Sequence, residues 1–171
     1  DGGDRFTSGS FVDVQLTTPA DPAINVVRIA NDPGVRNGLL VGGLTLPVAD
    51  DEPWSLDIDQ PDDTAADGER TVYVQWGDGR GNWSHVASDT IILDTTGPTI
   101  GAVQQPRVGL STVGAKGSVP IELHWRGGHD ALSGLEGYDV EVSVDGGDWE
   151  DFASVNGTTA TGRVAQGRRY A

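Results

Sequence analysis

Apolar and polar residues alternate one by one through run after run of this chain, and that period of two restricts it to β-structure. Val12-Asp13-Val14-Gln15-Leu16, Trp54-Ser55-Leu56-Asp57-Ile58, Val72-Tyr73-Val74-Gln75-Trp76 and Tyr138-Asp139-Val140-Glu141-Val142 all read this way, as do Val119, Ile121, Leu123 and Trp125. Successive side chains of an extended chain point to opposite sides, so each run makes a strand with one face for a core and one for solvent. No stretch keeps apolar residues at i, i+3, i+4 and i+7 beyond two turns, so helices are not expected. The 25 Gly and 9 Pro separate the runs with turn signals. Asn31-Asp32-Pro33-Gly34 closes one strand, Asp78-Gly79-Arg80-Gly81-Asn82 turns another, and Asp145-Gly146-Gly147 predicts a tight hairpin leading to Trp149 and Phe152.

The strands fall into two series. Residues 1–10 hold at most a short first strand, and about seven strands follow up to the closing run 86–94. Thr95-Thr96-Gly97-Pro98 then breaks the pattern, because Pro98 has no amide hydrogen for a ladder. A second series opens with Ile100–Val103 and Val108, runs through 119–125, 138–144 and 149–152, and reaches Thr159–Val164. The predicted architecture is all-β: two tandem β-sandwiches, residues 1–97 and 98–171. Each half suits a fold that places seven strands in about 100 residues.

Charge narrows the partners. The formal net charge is −15, and 20 of the 26 acids are Asp, a residue that caps local backbone in turns. No basic face exists to neutralise phosphates, so neither nucleic acid nor an anionic membrane is an expected partner. No apolar run approaches the roughly 18 residues that span a bilayer. With no Cys there is no disulfide framework, thiolate metal site or Cys nucleophile. With no Met, the chain is expected to be a processed or excised segment.

Particular residues also carry a resemblance. Asp67-Gly68-Glu69-Arg70-Thr71-Val72-Tyr73-Val74-Gln75, Gly81-Asn82-Trp83-Ser84 and Asp89-Thr90-Ile91-Ile92-Leu93-Asp94-Thr95-Thr96-Gly97-Pro98 resemble the C-terminal half of bacterial extracellular Ig-like modules. Arg28-Ile29-Ala30-Asn31-Asp32 and Trp54-Ser55-Leu56 fit the same family, so the resemblance covers about residues 11–98. The second half resembles a fibronectin type III module, with Trp125 at the second-strand core position and Tyr138 opening the third strand. Val164 to Tyr170 has the spacing of that family's tyrosine corner, with Val164 in place of Leu and Gln166 in place of Pro. The resemblance implies a secreted or cell-surface, non-catalytic spacer or adhesive module, and a second sandwich lacking its last strands. It also implies that the Tyr170 hydroxyl bonds back to upstream backbone.

Candidate sites are few. Asp78, Asn82, Asp89 and Asp94 are the best set for a Ca²⁺ ion, which needs six to eight oxygens. The simpler reading is that Asp78 and Asn82 form Asx turns while the other two bound a strand. Trp83 and Trp149 lie beside Gly turns and either stack on polysaccharide rings or plug the sandwich ends. Trp54, Trp76 and Trp125 fall on core positions. Ser84, His85 and Asp89 hold the residue types of a triad, but neighbouring strand residues diverge. His124 and His129 have no third ligand nearby. Asp50–Glu52, Asp62, Asp63 and Asp67 read as solvated loop acids. Asn82-Trp83-Ser84 and Asn156-Gly157-Thr158 are glycosylation sequons that matter only in a glycosylating host. Expected partners are other domains of a parent chain or neighbouring subunits. In one alternative, a neighbour completes the second sandwich by donating a strand, with residues 5–16 as the donor.

Overall fold

A computed structural model describes residues 3–31, 34–57, 66–108 and 117–171. Ile58, the loop acids Asp62 and Asp63, and the Asp32-Pro33 turn lie outside the described residues. Every regular element described is a strand, and no described helix is long and apolar enough to cross a membrane. The chain divides into two compact units, Asp1–Thr96 and Gly97–Ala171.

The first unit holds β1 (Phe6–Thr7), β2 (Phe11–Gln15), β3 (Val26–Ala30), β4 (Val35–Arg36), β5 (Leu39–Leu40), β6 (Leu44–Pro47), β7 (Asp51–Ser55), β8 (Gly68–Gly77) and β9 (Ala87–Leu93). A five-stranded sheet runs β1-β9-β8-β3-β6, antiparallel except that β1 joins β9 parallel, Phe6 opposite Ile92. Facing it is the antiparallel pair β2–β7, with Val12 opposite Trp54. The alternating residues of both layers meet in one core: Val27, Ile29 and Val72 from one side, Leu16, Trp54 and Leu56 from the other. Burying each such side chain stabilises the fold by about 1.5–3 kcal/mol. Residues 5–16, the proposed donor strand, are therefore occupied within their own unit by β9 and β7.

The sequence pattern puts Gln75 on the solvent side of β8, yet Gln75 is only 2% exposed. The short hairpin β4–β5 accounts for this. Asn37 and Gly38 both take positive φ, 54° and 79°, the type I′ geometry that lets a two-residue loop match strand twist. The hairpin folds over the outer face of β3 and β8, where Arg28 and Gln75 are cross-strand partners. Arg28 Nε donates to the Leu40 carbonyl at 2.7 Å, and Gln75 Oε1 accepts the Leu40 amide at 2.8 Å. Gln75 Nε2 donates to the carbonyls of Gly38 (2.9 Å) and Ser84 (3.0 Å). Two side chains thus satisfy both backbone groups of Leu40, itself 1% exposed.

The second unit holds β10 (Arg107–Val108), β11 (Ser118–His124), β12 (Tyr138–Ser143), β13 (Trp149–Val155) and β14 (Thr159–Ala165). One sheet runs β10-β11-β14, and β12 pairs with β13 in another. The Asp145-Gly146 turn between β12 and β13 has φ of 55° and 76°, again type I′. The two sheets approach closely at Gly162, where a Cβ would lie 2.2 Å from Phe152 Cζ, so only glycine admits that ring.

The final residues cross to the β12 side. The Tyr170 hydroxyl accepts the Ala165 amide (2.7 Å) and donates to the Ala165 carbonyl (3.2 Å). Ser143 and Ala171 exchange both backbone bonds, at 3.0 and 3.1 Å. The Asp145 carboxylate receives the Arg169 amide (2.9 Å) and the Arg168 guanidinium; both hold its pKa below the ordinary carboxylate value, the Arg169 amide foremost.

Two stability predictions follow from these contacts. Gln75→Leu strands the buried Leu40 amide and should cost the first unit roughly 2–4 kcal/mol in chemical denaturation, at about 1–3 kcal/mol per unsatisfied group. Tyr170→Phe should lower only the second unit's transition, by about 1 kcal/mol.

Candidate functional site

A large apolar concavity belongs to the second unit and follows from the strand pattern. Ile121, Leu123 and Trp125 of the β11 run face Tyr138, Val140 and Val142 of β12 across a cleft of about 710 Å³, with Phe152 and Trp149 of β13 at its side. Trp125 and Tyr138 meet edge to face, ring centroids 5.4 Å apart, a geometry favoured by the ring quadrupoles. The Tyr138 hydroxyl accepts the Gly128 amide at 2.8 Å. Trp125 Nε1 is buried and has no hydrogen-bond partner. Nine of the ten buried hydrophobic residues among those described belong to the first unit, and Ala160 is the second unit's sole member. The inner faces of the second unit are paired by sequence pattern but still open to solvent.

The four candidate calcium ligands do not converge. Asp78 accepts the Arg80 and Asn82 amides (2.8 and 3.2 Å) and the Asn82 side-chain amide (2.6 Å). That Asx turn lowers the Asp78 pKa, chiefly through the Asn82 side chain. Asp89 stands opposite Val72, six residues along β8 from Asp78 and so about 20 Å away at the strand rise. Asp94 lies five residues farther in the opposite direction, roughly 16 Å, with its amide on the Thr7 carbonyl. One ion with ligands at about 2.4 Å cannot reach all four. Among the described residues no group of three or more His, Asp or Glu could hold a metal.

The two loop tryptophans have different surroundings. Trp83 is half-buried and approaches Gly77 so closely that a Cβ there would sit 2.9 Å from its ring. Trp149 is 59% exposed at the rim of the apolar cleft. Ser84 Oγ donates to the His85 carbonyl (2.7 Å) and accepts the Trp76 amide (3.0 Å), so the hydroxyl serves the turn. His124 contacts Glu122 (3.3 Å) and the Thr159 hydroxyl (3.3 Å). His129 pairs through its backbone with Thr99.

Asp67 is not a free loop acid. Its carboxylate accepts the Thr95 amide and hydroxyl, both at 2.7 Å, and the Thr96 hydroxyl. These donors, the Thr96 hydroxyl foremost, lower its pKa from 3.8 to about 2. The Asp-Thr-Thr end of the closing phrase is thereby a latch between the start of β8 and the end of β9. Asp67-Gly68 before one strand and Thr95-Thr96 after its partner were the signal for it.

A scan against protein-family models finds no matching family, and a search of curated proteins finds no match.

Because the Asp67 pKa is depressed on folding, the latch stabilises fully above the unfolded value near 3.8 and is lost as pH falls toward about 2. Asp67→Asn should therefore melt below the parent at pH 6, with the gap closing between about pH 4 and pH 2. A gap independent of pH would contradict the latch.

Proposed function

We propose that this chain is a non-catalytic pair of sandwich modules, Ig-like then fibronectin type III-like, serving as a spacer or adhesive segment of an exported protein. The observation that carries the reading is the strand order. In the first unit β3, β8 and β9 form the centre of one layer, with β1 added parallel to β9 and β2–β7 facing them. That order supports the Ig-type reading, in which the strands of the C-F-G sheet pack on a second sheet. In the second unit the Tyr170 hydroxyl closes on Ala165 as a tyrosine corner does. Support comes from Asp67, Asp78, Asp130 and Asp145, whose carboxylates accept bonds from backbone amides, hydroxyls, the Asn82 side-chain amide or the Arg168 guanidinium. A polysaccharide-binding role would rest on Trp149, the more exposed of the two, since the Trp83 ring is half-buried against Gly77.

A spacer bears load through modules that unfold one at a time. Pulling the chain end to end should give two separate unfolding steps, one per unit. At ~3.5 Å per residue these should release contour lengths of roughly 34 nm and 26 nm, less the folded end-to-end distances. A single concerted step, or turnover in a hydrolase substrate panel that survives purification, would sink the proposal.

A further inference from the structure

Two of the chain's five asparagines, Asn37 and Asn156, precede glycine. In such a pair the glycine amide nitrogen, with no Cβ beside it, reaches the asparagine side-chain carbon and closes a five-membered imide ring. Closure needs that nitrogen turned toward the asparagine Cβ, free of a hydrogen-bond acceptor and open on its flank. Asn37 fails the first demand. In its type I′ turn ψ is about +30°, which leaves the Gly38 nitrogen about 150° from the Cβ around the Cα–C bond. Turning it round means opening a hairpin whose Gly38 carbonyl and Leu40 amide are held by buried Gln75 at 2.9 and 2.8 Å. Asn156 is under no such hold. It lies with Gly157 and Thr158 in the exposed bend between β13 and β14. Its side chain and the Gly157 amide make no hydrogen bond with any described residue. A Cβ built on Gly157 would meet nothing within 4 Å, so the flank is open. The other asparagines precede Val26, Asp32 and Trp83, and Asn31 and Asn82 also have their side chains bonded. Asp67, Asp78 and Asp145 precede glycine too, but their carboxylates are bonded as acceptors, and an ionised carboxylate is a poor electrophile.

We propose that Asn156 is a site of spontaneous modification, converted through a cyclic imide to isoaspartate and aspartate, while the turn around Asn37 preserves that residue. The Gly157 amide gives its proton to water or hydroxide, and its nitrogen bonds to Asn156 Cγ. The Cγ–Nδ2 bond breaks, and the side-chain nitrogen takes up a proton and leaves as ammonia. Water then opens the ring. Attack at Cγ restores the original main chain with an aspartate at this position. Attack at the main-chain carbonyl carbon of residue 156 instead routes the chain through Cβ and Cγ, which is isoaspartate. Nothing is oxidised or reduced, and water is the sole co-reactant. Either product adds a carboxylate to a chain already at −15, and isoaspartate lengthens the β13–β14 connection by a methylene. That connection supplies the Thr158 carbonyl, which accepts the Trp125 amide at 3.1 Å. The inference is independent of the module reading: it needs the two turns, whatever the parent protein does.

The test is ageing of the 171-residue chain in mildly alkaline buffer, followed by peptide mapping with fragmentation that resolves isoaspartate from aspartate. In the folded chain Asn156 should convert at least about tenfold faster than Asn37, whose reaction waits on the opening of buried bonds. In concentrated urea the two rates should converge to within about threefold, because the turn that separates them is gone. Gly157→Ala should slow the reaction at Asn156 at least about tenfold, since the new methyl crowds the attacking nitrogen. That variant suits the fold, because Gly157 has no positive φ and the methyl meets no neighbour. Equal rates at the two sites in the folded chain, faster conversion at Asn37, or a Gly157→Ala chain that ages like the parent would each overturn the proposal. So would an Asn156 that stays intact in the folded chain and reacts only in urea.

Discussion

The Tyr170 hydroxyl, bonded to both backbone groups of Ala165, fixes where the chain leaves the β14 sheet and enters the lane beside β12. The second unit depends on that crossing. Asp145 receives Arg168 and Arg169 on one side of it, and Ser143 pairs with Ala171 on the other. Three short contacts thereby set the phase of the β12 edge, deciding which of its amides face outward and which side chains line the cleft. A shift of one residue would exchange the apolar and acidic faces.

The first unit meets the same demands in another way. Its sheet is covered on the inner face by β2–β7 and on part of the outer face by the β4–β5 hairpin. Covering a polar outer face is costly unless every group finds a partner. Arg28 and Gln75 meet that cost by satisfying Leu40 from both directions. At one end Arg70 Nε meets Asp57 at 3.0 Å, joining the start of β8 to the segment after β7. At the same end, three residues earlier, Asp67 latches Thr95 and Thr96. Its buried residues follow from the covering of both sheet faces.

Much of this was legible in the sequence because a period of two is a local property. The runs at 12–16, 72–76, 119–125 and 138–142 became strands, and the Asp145-Gly146 turn formed the expected hairpin. Tyr170 bonds upstream as its spacing implied. What escaped was non-local. Gln75 reads as solvent-facing until a hairpin 35 residues earlier folds over it, although Asn37-Gly38 signalled that hairpin. Asp67 reads as a loop acid because its donors lie 28 and 29 residues away. Asp78 and Asp89 read as neighbours in sequence, yet the antiparallel pairing of β8 with β9 carries them apart. Composition suggests clustered carboxylates, whereas register decides whether they cluster.

The central claim is that the Tyr170 crossing sets the backbone phase of β12. Residue-by-residue amide hydrogen exchange of the free chain tests it most directly. Protection should alternate along β12: slow at Tyr138, Val140 and Val142, which turn toward β13, slow at Ser143 beside Ala171, and fast at Asp139 and Glu141. Slow exchange at Asp139 and Glu141 with fast exchange at Val140 and Val142 would show the opposite phase and would contradict the account.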